Sequence, residues 1–153
     1  MKAVDYSLQG ARILIAEDDA ILALDVREIF RQAGAEIVGP AATLRQTLLM
    51  ISAFRISAAL LDVNLRDAEV FPAARALQDR GTGIVFYTGY AYVDSLRRGW
   101  PGAHVLTKPA PPVLLISTIR RACRAVSDDE LPSMHGPIQP ALEKRSSGHR
   151  EQV

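Results

Sequence analysis

Apolar residues along this chain come in short runs, and between the runs they recur at helical spacing. "ARILIAE" (11–17) is apolar until it ends in an acid. Leu22, Val26, Ile29, Phe30 and Ala33 then mark one helix face, with Asp18 and Asp19 available to cap its free amides and Gly34 as a stop. The alternation repeats. "AEIVG" (35–39) reads as a strand and "TLRQTLLMI" (43–51) as a helix capped by Thr43. "ISAALLD" (56–62) is a strand, and Val70, Phe71, Ala74 and Leu77 mark a third helix that "RGTG" closes. "GIVFYTG" (83–89) is the fourth strand, followed by a weaker helical stretch near 91–99. "AHVLTKP" (103–109) is the fifth strand, and Leu115, Ile119, Ala122, Cys123 and Val126 line a last helix.

Strands apolar on both faces, alternating with helices, are what a parallel sheet covered on both sides requires. The pattern predicts an α/β fold with five strands and five helices. Right-handed crossovers leave few topologies, of which the flavodoxin-like order is the commonest. Residues 1–10 read as a short extension before the domain at 11–126. Residues 127–153 are rich in Pro, Ser, Gly and charge, and they read as a flexible tail too poor in apolar residues to order a second core.

Composition narrows the function classes. With 18 basic and 17 acidic side chains, the net charge of +1 gives no sign of a nucleic-acid partner or an anionic membrane. One cysteine excludes an intrachain disulfide and a cysteine metal cluster. The longest apolar runs fall short of a membrane span, so a cytoplasmic location is expected.

The polar residues carry the chemistry. Glu17 and Asp18 end the first strand, Asp62 the third, Thr88 the fourth and Lys108 the fifth. In a parallel sheet these ends share one edge, the usual ligand crevice. Three carboxylates in one crevice repel each other unless a cation intervenes. Mg²⁺ suits such a set, with the backbone carbonyl of Asn64 as a further oxygen. Lys108 and Thr88 suit phosphate oxygens, and a central carboxylate can serve as a phosphoryl acceptor. Asp62, from the middle of the array, is the best candidate. Each residue also has a structural reading: a turn former at Asp62, an acidic helix start at Glu17–Asp19, a turn at Thr88–Gly89, a solvated exit at Lys108–Pro109. Their coincidence on one edge favours the site.

The set "ILIAEDD", "LLDVNL", "FYTG" and "LTKP", in that order, resembles a response-regulator receiver domain of two-component signalling over residues 11–126. That resemblance implies a sheet order of 2-1-3-4-5. It also implies Mg²⁺ on Glu17, Asp18, Asp62 and the Asn64 carbonyl, and phosphoryl contacts from Thr88 and Lys108. A cis Lys108–Pro109 bond is expected. The implied partner is a histidine kinase or histidine phosphotransfer protein, for a monomer or weak homodimer that signals by protein–protein interaction or onward transfer and catalyses only its own phosphorylation and dephosphorylation. "FYTGY" before "KP" is similar to a single-domain alphaproteobacterial subgroup with the motif Phe-Ala-Thr-Gly-X-Tyr, though Tyr87 stands where Ala is usual.

The family's switch aromatic is absent: Val105, beside His104, stands three residues before the lysine. Gly89 and Tyr90 are therefore candidates for the reporting element, and Tyr90 as a shield over the pocket is the competing reading. Two other functions remain open at this point. One is a receiver-shaped interaction module that uses no phosphate. The other is a Mg²⁺-dependent phosphohydrolase suggested by "LDVNL", against which Asn64 replaces the second aspartate of that motif.

Overall fold

The computed structural model describes residues 6–127, with side chains through Cys123 in the last helix. The expected tail beyond Ser127, residues 1–5 of the extension and the Val126 side chain lie outside the described residues. Strands β1 (Arg12–Ala16), β2 (Glu36–Ala41), β3 (Ala58–Leu61), β4 (Gly83–Thr88) and β5 (His104–Thr107) alternate with helices α1 (Ala20–Gln32), α2 (Leu44–Ala53), α3 (Phe71–Asp79), α4 (Val93–Gly99) and α5 (Pro112–Ser127). All pairings are parallel and the strand order is β2-β1-β3-β4-β5. This is the predicted flavodoxin-like sheet.

Helices cover both faces because each strand sends apolar side chains both ways. Val26 and Phe30 of α1 and Leu115 and Ile119 of α5 pack with Ile13, Ile15, Leu60 and Val85 on one face. Ile51, Leu77 and Leu96 of α2, α3 and α4 pack with Leu14, Leu61 and Phe86 on the other. Burying each of these side chains contributes roughly 1.5–3 kcal/mol, set against the entropy of ordering the chain. Leu8, placed in the extension by its sequence position, belongs to the core: it is 2% exposed, and its N–H donates to the Ala33 carbonyl.

Local chemistry sets the element ends. Asp19 alone caps α1, its carboxylate accepting from the N–H groups of Ile21 and Leu22, while Asp18 stays out of the cap. Gly34, at φ 104°, turns the chain out of α1 in a conformation that disfavours a Cβ. The Thr43 hydroxyl caps α2 as predicted. The second strand runs past its expected end at Gly39 to Ala41. Pro40 is tolerated because β2 is an edge strand and its register with β1 shifts there. The weak helical stretch resolves into a 3-10 turn, Tyr90–Tyr92, leading into α4.

One close approach invites a test. A Cβ on Gly83 would collide with the Ala122 carbonyl oxygen, so β4 and the backbone of α5 pack without room for a methyl group. Gly83→Ala is expected to cost about 3 kcal/mol through overpacking, read as a lower urea midpoint. An unchanged midpoint would show that this contact is looser than described.

Candidate functional site

The sheet ladder itself carries the site residues past the strand ends. The Glu17 N–H donates to the Ala41 carbonyl (2.8 Å), Asp62 to Ala16 (2.9 Å) and Lys108 to Thr88 (2.8 Å). Each polar residue is thus fixed by the strand beside it before its side chain makes any contact. The structure brings Glu17, Asp18, Asp62, Thr88 and Lys108 to one edge, as the alternation predicts.

The Lys108 ammonium lies between two carboxylates, 2.8 Å from Glu17 Oε1 and 3.1 Å from Asp62 Oδ2. Glu17 is 5% exposed and Thr88 1%. The second Glu17 oxygen accepts the Asp19 N–H at 3.1 Å. Burial pushes the Glu17 carboxyl up to about 7, partly offset by its bonds to Lys108 and the Asp19 N–H and reinforced by the Asp62 charge. Burial works against the Lys108 charge, but hydrogen bonds to Glu17 and Asp62 outweigh it and hold that pKa above the ordinary lysine value.

Glu17, Asp18 and Asp62 each offer an oxygen, and these atoms lie within 4.8 Å of one another. An all-oxygen, anionic set of this span fits a hard divalent cation such as Mg²⁺ and suits soft metals poorly.

The loop after β3 frames one side. Asn64 bridges to Glu69, and Asn64 Nδ2 donates to the Tyr92 hydroxyl at 2.9 Å. Nothing in the sequence singles out Tyr92 over Tyr90, because its partner Asn64 lies in a distant loop. The Tyr90 side chain is 82% exposed, and Gly89 and Pro109 are also exposed. Val105 is half-buried against the core beneath α4, and Lys108–Pro109 is cis. In the sequence Tyr87 shows only as a departure from the motif. It is 3% exposed, its hydroxyl accepts the Ala110 N–H at 3.0 Å, and its ring centroid lies 5.7 Å from Lys108 Nζ. A tyrosine inside an otherwise apolar strand was the available signal, since a buried phenol seeks a hydrogen-bond partner.

The remaining titratable group of interest, Cys123, lies away from this edge on α5. Burial pushes its thiol up to about 11, so it carries no thiolate chemistry at neutral pH.

No protein-family model matches this sequence. The fold superposes on a response regulator receiver protein from Sinorhizobium medicae WSM419 with a TM-score of 0.70 at 25% identity, covering 78% of this chain and 99% of that one. A CheY-like response regulator receiver domain protein from Methanospirillum hungatei JF-1 gives 0.69 at 29% identity, covering 77% and 97%. The transcriptional regulatory protein PdtaR of Mycobacterium tuberculosis is 28% identical over 88 residues, 57% of this chain. The match spans less than half of that relative, 43% of its length. The chain has a receiver-domain fold. Among the described residues, no helix is long and apolar enough to cross a membrane.

Proposed function

We propose that this chain is a response-regulator receiver that accepts a phosphoryl group on Asp62 from a histidine kinase or histidine phosphotransfer protein. The observation that carries the reading is the Lys108 ammonium held between Glu17 and Asp62 at the sheet edge. In the step, an Asp62 carboxylate oxygen attacks phosphorus, a P–O bond forms, and the P–N bond to the donor histidine breaks with its electron pair returning to the imidazole. Lys108 follows the negative charge from the carboxylate to the phosphoryl oxygens, and the buried Thr88 hydroxyl contacts another of them. Bound Mg²⁺, held by Glu17, Asp18, Asp62 and the Asn64 carbonyl, would neutralise charge on those oxygens.

The labelled chain then hands the group on or binds a protein partner in the cytoplasm, and the same residues hydrolyse the acyl phosphate. The "FYTGY" and "KP" segments favour the single-domain alphaproteobacterial type. Gly89 and Tyr90 remain the proposed reporting element in the absence of an aromatic at Val105, with Tyr92 extending it toward the site.

Acetyl phosphate with Mg²⁺ is expected to add one phosphoryl mass increment that decays on standing, followed by intact-mass spectrometry. A chain that takes up no label from acetyl phosphate or from a phosphorylated kinase domain would be a receiver-shaped interaction module instead.

A further inference from the structure

We propose that Tyr87 is a positioning residue for Lys108, an inference that rests on the phosphoacceptor reading above. One side chain touches both ends of the turn that carries the lysine. Its hydroxyl accepts the Ala110 N–H, two residues beyond Lys108, and its ring lies under the ammonium at 5.7 Å. That separation is within cation–π range, and the buried ring and half-buried lysine strengthen the attraction. The Lys108 N–H, bound to the Thr88 carbonyl, fixes the start of the same turn on the strand that holds Tyr87.

The electrostatics give the ring a distinct task. Lys108 contacts Glu17, Asp62 and Tyr87. Asp62 changes from a carboxylate to an acyl phosphate during the proposed cycle, and the charge moves from its oxygen to the phosphoryl group. Glu17 faces both the cation site and the lysine. The Tyr87 ring carries the same charge distribution before and after transfer. It keeps the ammonium over the reacting edge while the carboxylate partners change, and the hydroxyl keeps the backbone of the turn at fixed reach. Alanine, usual at this position in the motif that the sequence resembles, could supply neither contact.

Tyr87→Phe, which keeps the ring, and Tyr87→Leu, which removes both contacts, separate the two parts. Each is made in the parent chain and in Lys108→Ala, and labelling by acetyl phosphate with Mg²⁺ is timed. Tyr87→Leu is expected to slow labelling about tenfold when Lys108 is present and by less than about twofold when it is absent, the non-additivity of residues acting through one group. Tyr87→Phe falls between. Equal slowing in both backgrounds, or none in either, overturns the proposal in favour of plain packing.

An NMR measurement without phosphate keeps the two hypotheses apart. The Lys108 ε-methylene protons, shifted by the ring, should move toward ordinary lysine values in Tyr87→Leu and stay shifted in Tyr87→Phe. If the parent chain takes no label but this shift behaves as stated, the phosphoacceptor reading fails and the positioning stands. If the shift is the same in all three proteins, the positioning fails. Should Tyr87→Leu not fold, Tyr87→Phe decides alone: its Ala110 amide must shift and its labelling must slow only when Lys108 is present.

Discussion

Asp62→Ala is expected to take up no phosphoryl group from acetyl phosphate under conditions that label the parent chain. The expectation follows from where the residue stands. β3 lies at the centre of the β2-β1-β3-β4-β5 sheet, so the residue after it has the Glu17–Asp18 pair on one side and Thr88 on the other. Its Oδ2 lies 3.1 Å from Lys108, and its side chain is 12% exposed, enough for a donor to reach. Glu17 is a poorer nucleophile because it is more deeply buried and holds its proton to about pH 7. Removing Asp62 thus deletes the acceptor rather than weakening it, and the effect is total. Intact-mass spectrometry reads the result directly. A labelled Asp62→Ala protein would move the reaction to another side chain and overturn the site. Chelating Mg²⁺ should stop labelling of the parent chain while leaving the fold intact.

Glu17→Gln is expected to raise the metal-free melting midpoint above pH 7 by roughly 5–10 °C. The unfolded carboxyl ionises near 4.5, whereas the folded one does so near 7. Between those values the folded chain keeps a proton that the unfolded chain has released. Metal-free stability therefore falls as pH rises through that window and levels off above it, by about 3 kcal/mol. Glutamine does not titrate, so the variant escapes the loss. The two midpoints should converge below pH 4.5. Mg²⁺ stabilises by binding the folded state, and the gain should be smaller in the variant, which has one fewer carboxylate. A lower midpoint for metal-free Glu17→Gln above pH 7 would mean that its pairing with Lys108 outweighs the burial of its charge.

The alternation of runs and spacings made the layers legible, because a doubly covered parallel sheet leaves no other use for strands such as "AALL". It also made the shared edge legible, since strand direction alone delivers Glu17, Asp62, Thr88 and Lys108 to one side. What escaped were contacts set by loop geometry. Pro40 reads as a strand end, and only the edge position of β2 lets the strand run through it. Tyr92 and Asn64 are 28 residues apart and meet because two loops converge, which no local period encodes. Tyr87 was visible as an odd residue, but the amide it binds lies 23 residues on, beyond β5. Leu8 is illegible as core in the sequence because one apolar residue among polar neighbours has no period at all.

The loop after β3 is fastened at both flanks. The Asp67 carboxylate accepts the Leu44 N–H at 2.6 Å and the Arg45 N–H at 3.2 Å, and these bonds hold its pKa below the usual carboxylate value. Asn64, three residues earlier, holds Tyr92. The first amides of α2 therefore take their partner from the segment that follows Asp62. Any shift of that segment loosens them, and they exchange with solvent deuterium faster. The Leu44 and Arg45 amides would thus report movement of the loop after β3 from a helix that contributes no residue to the site.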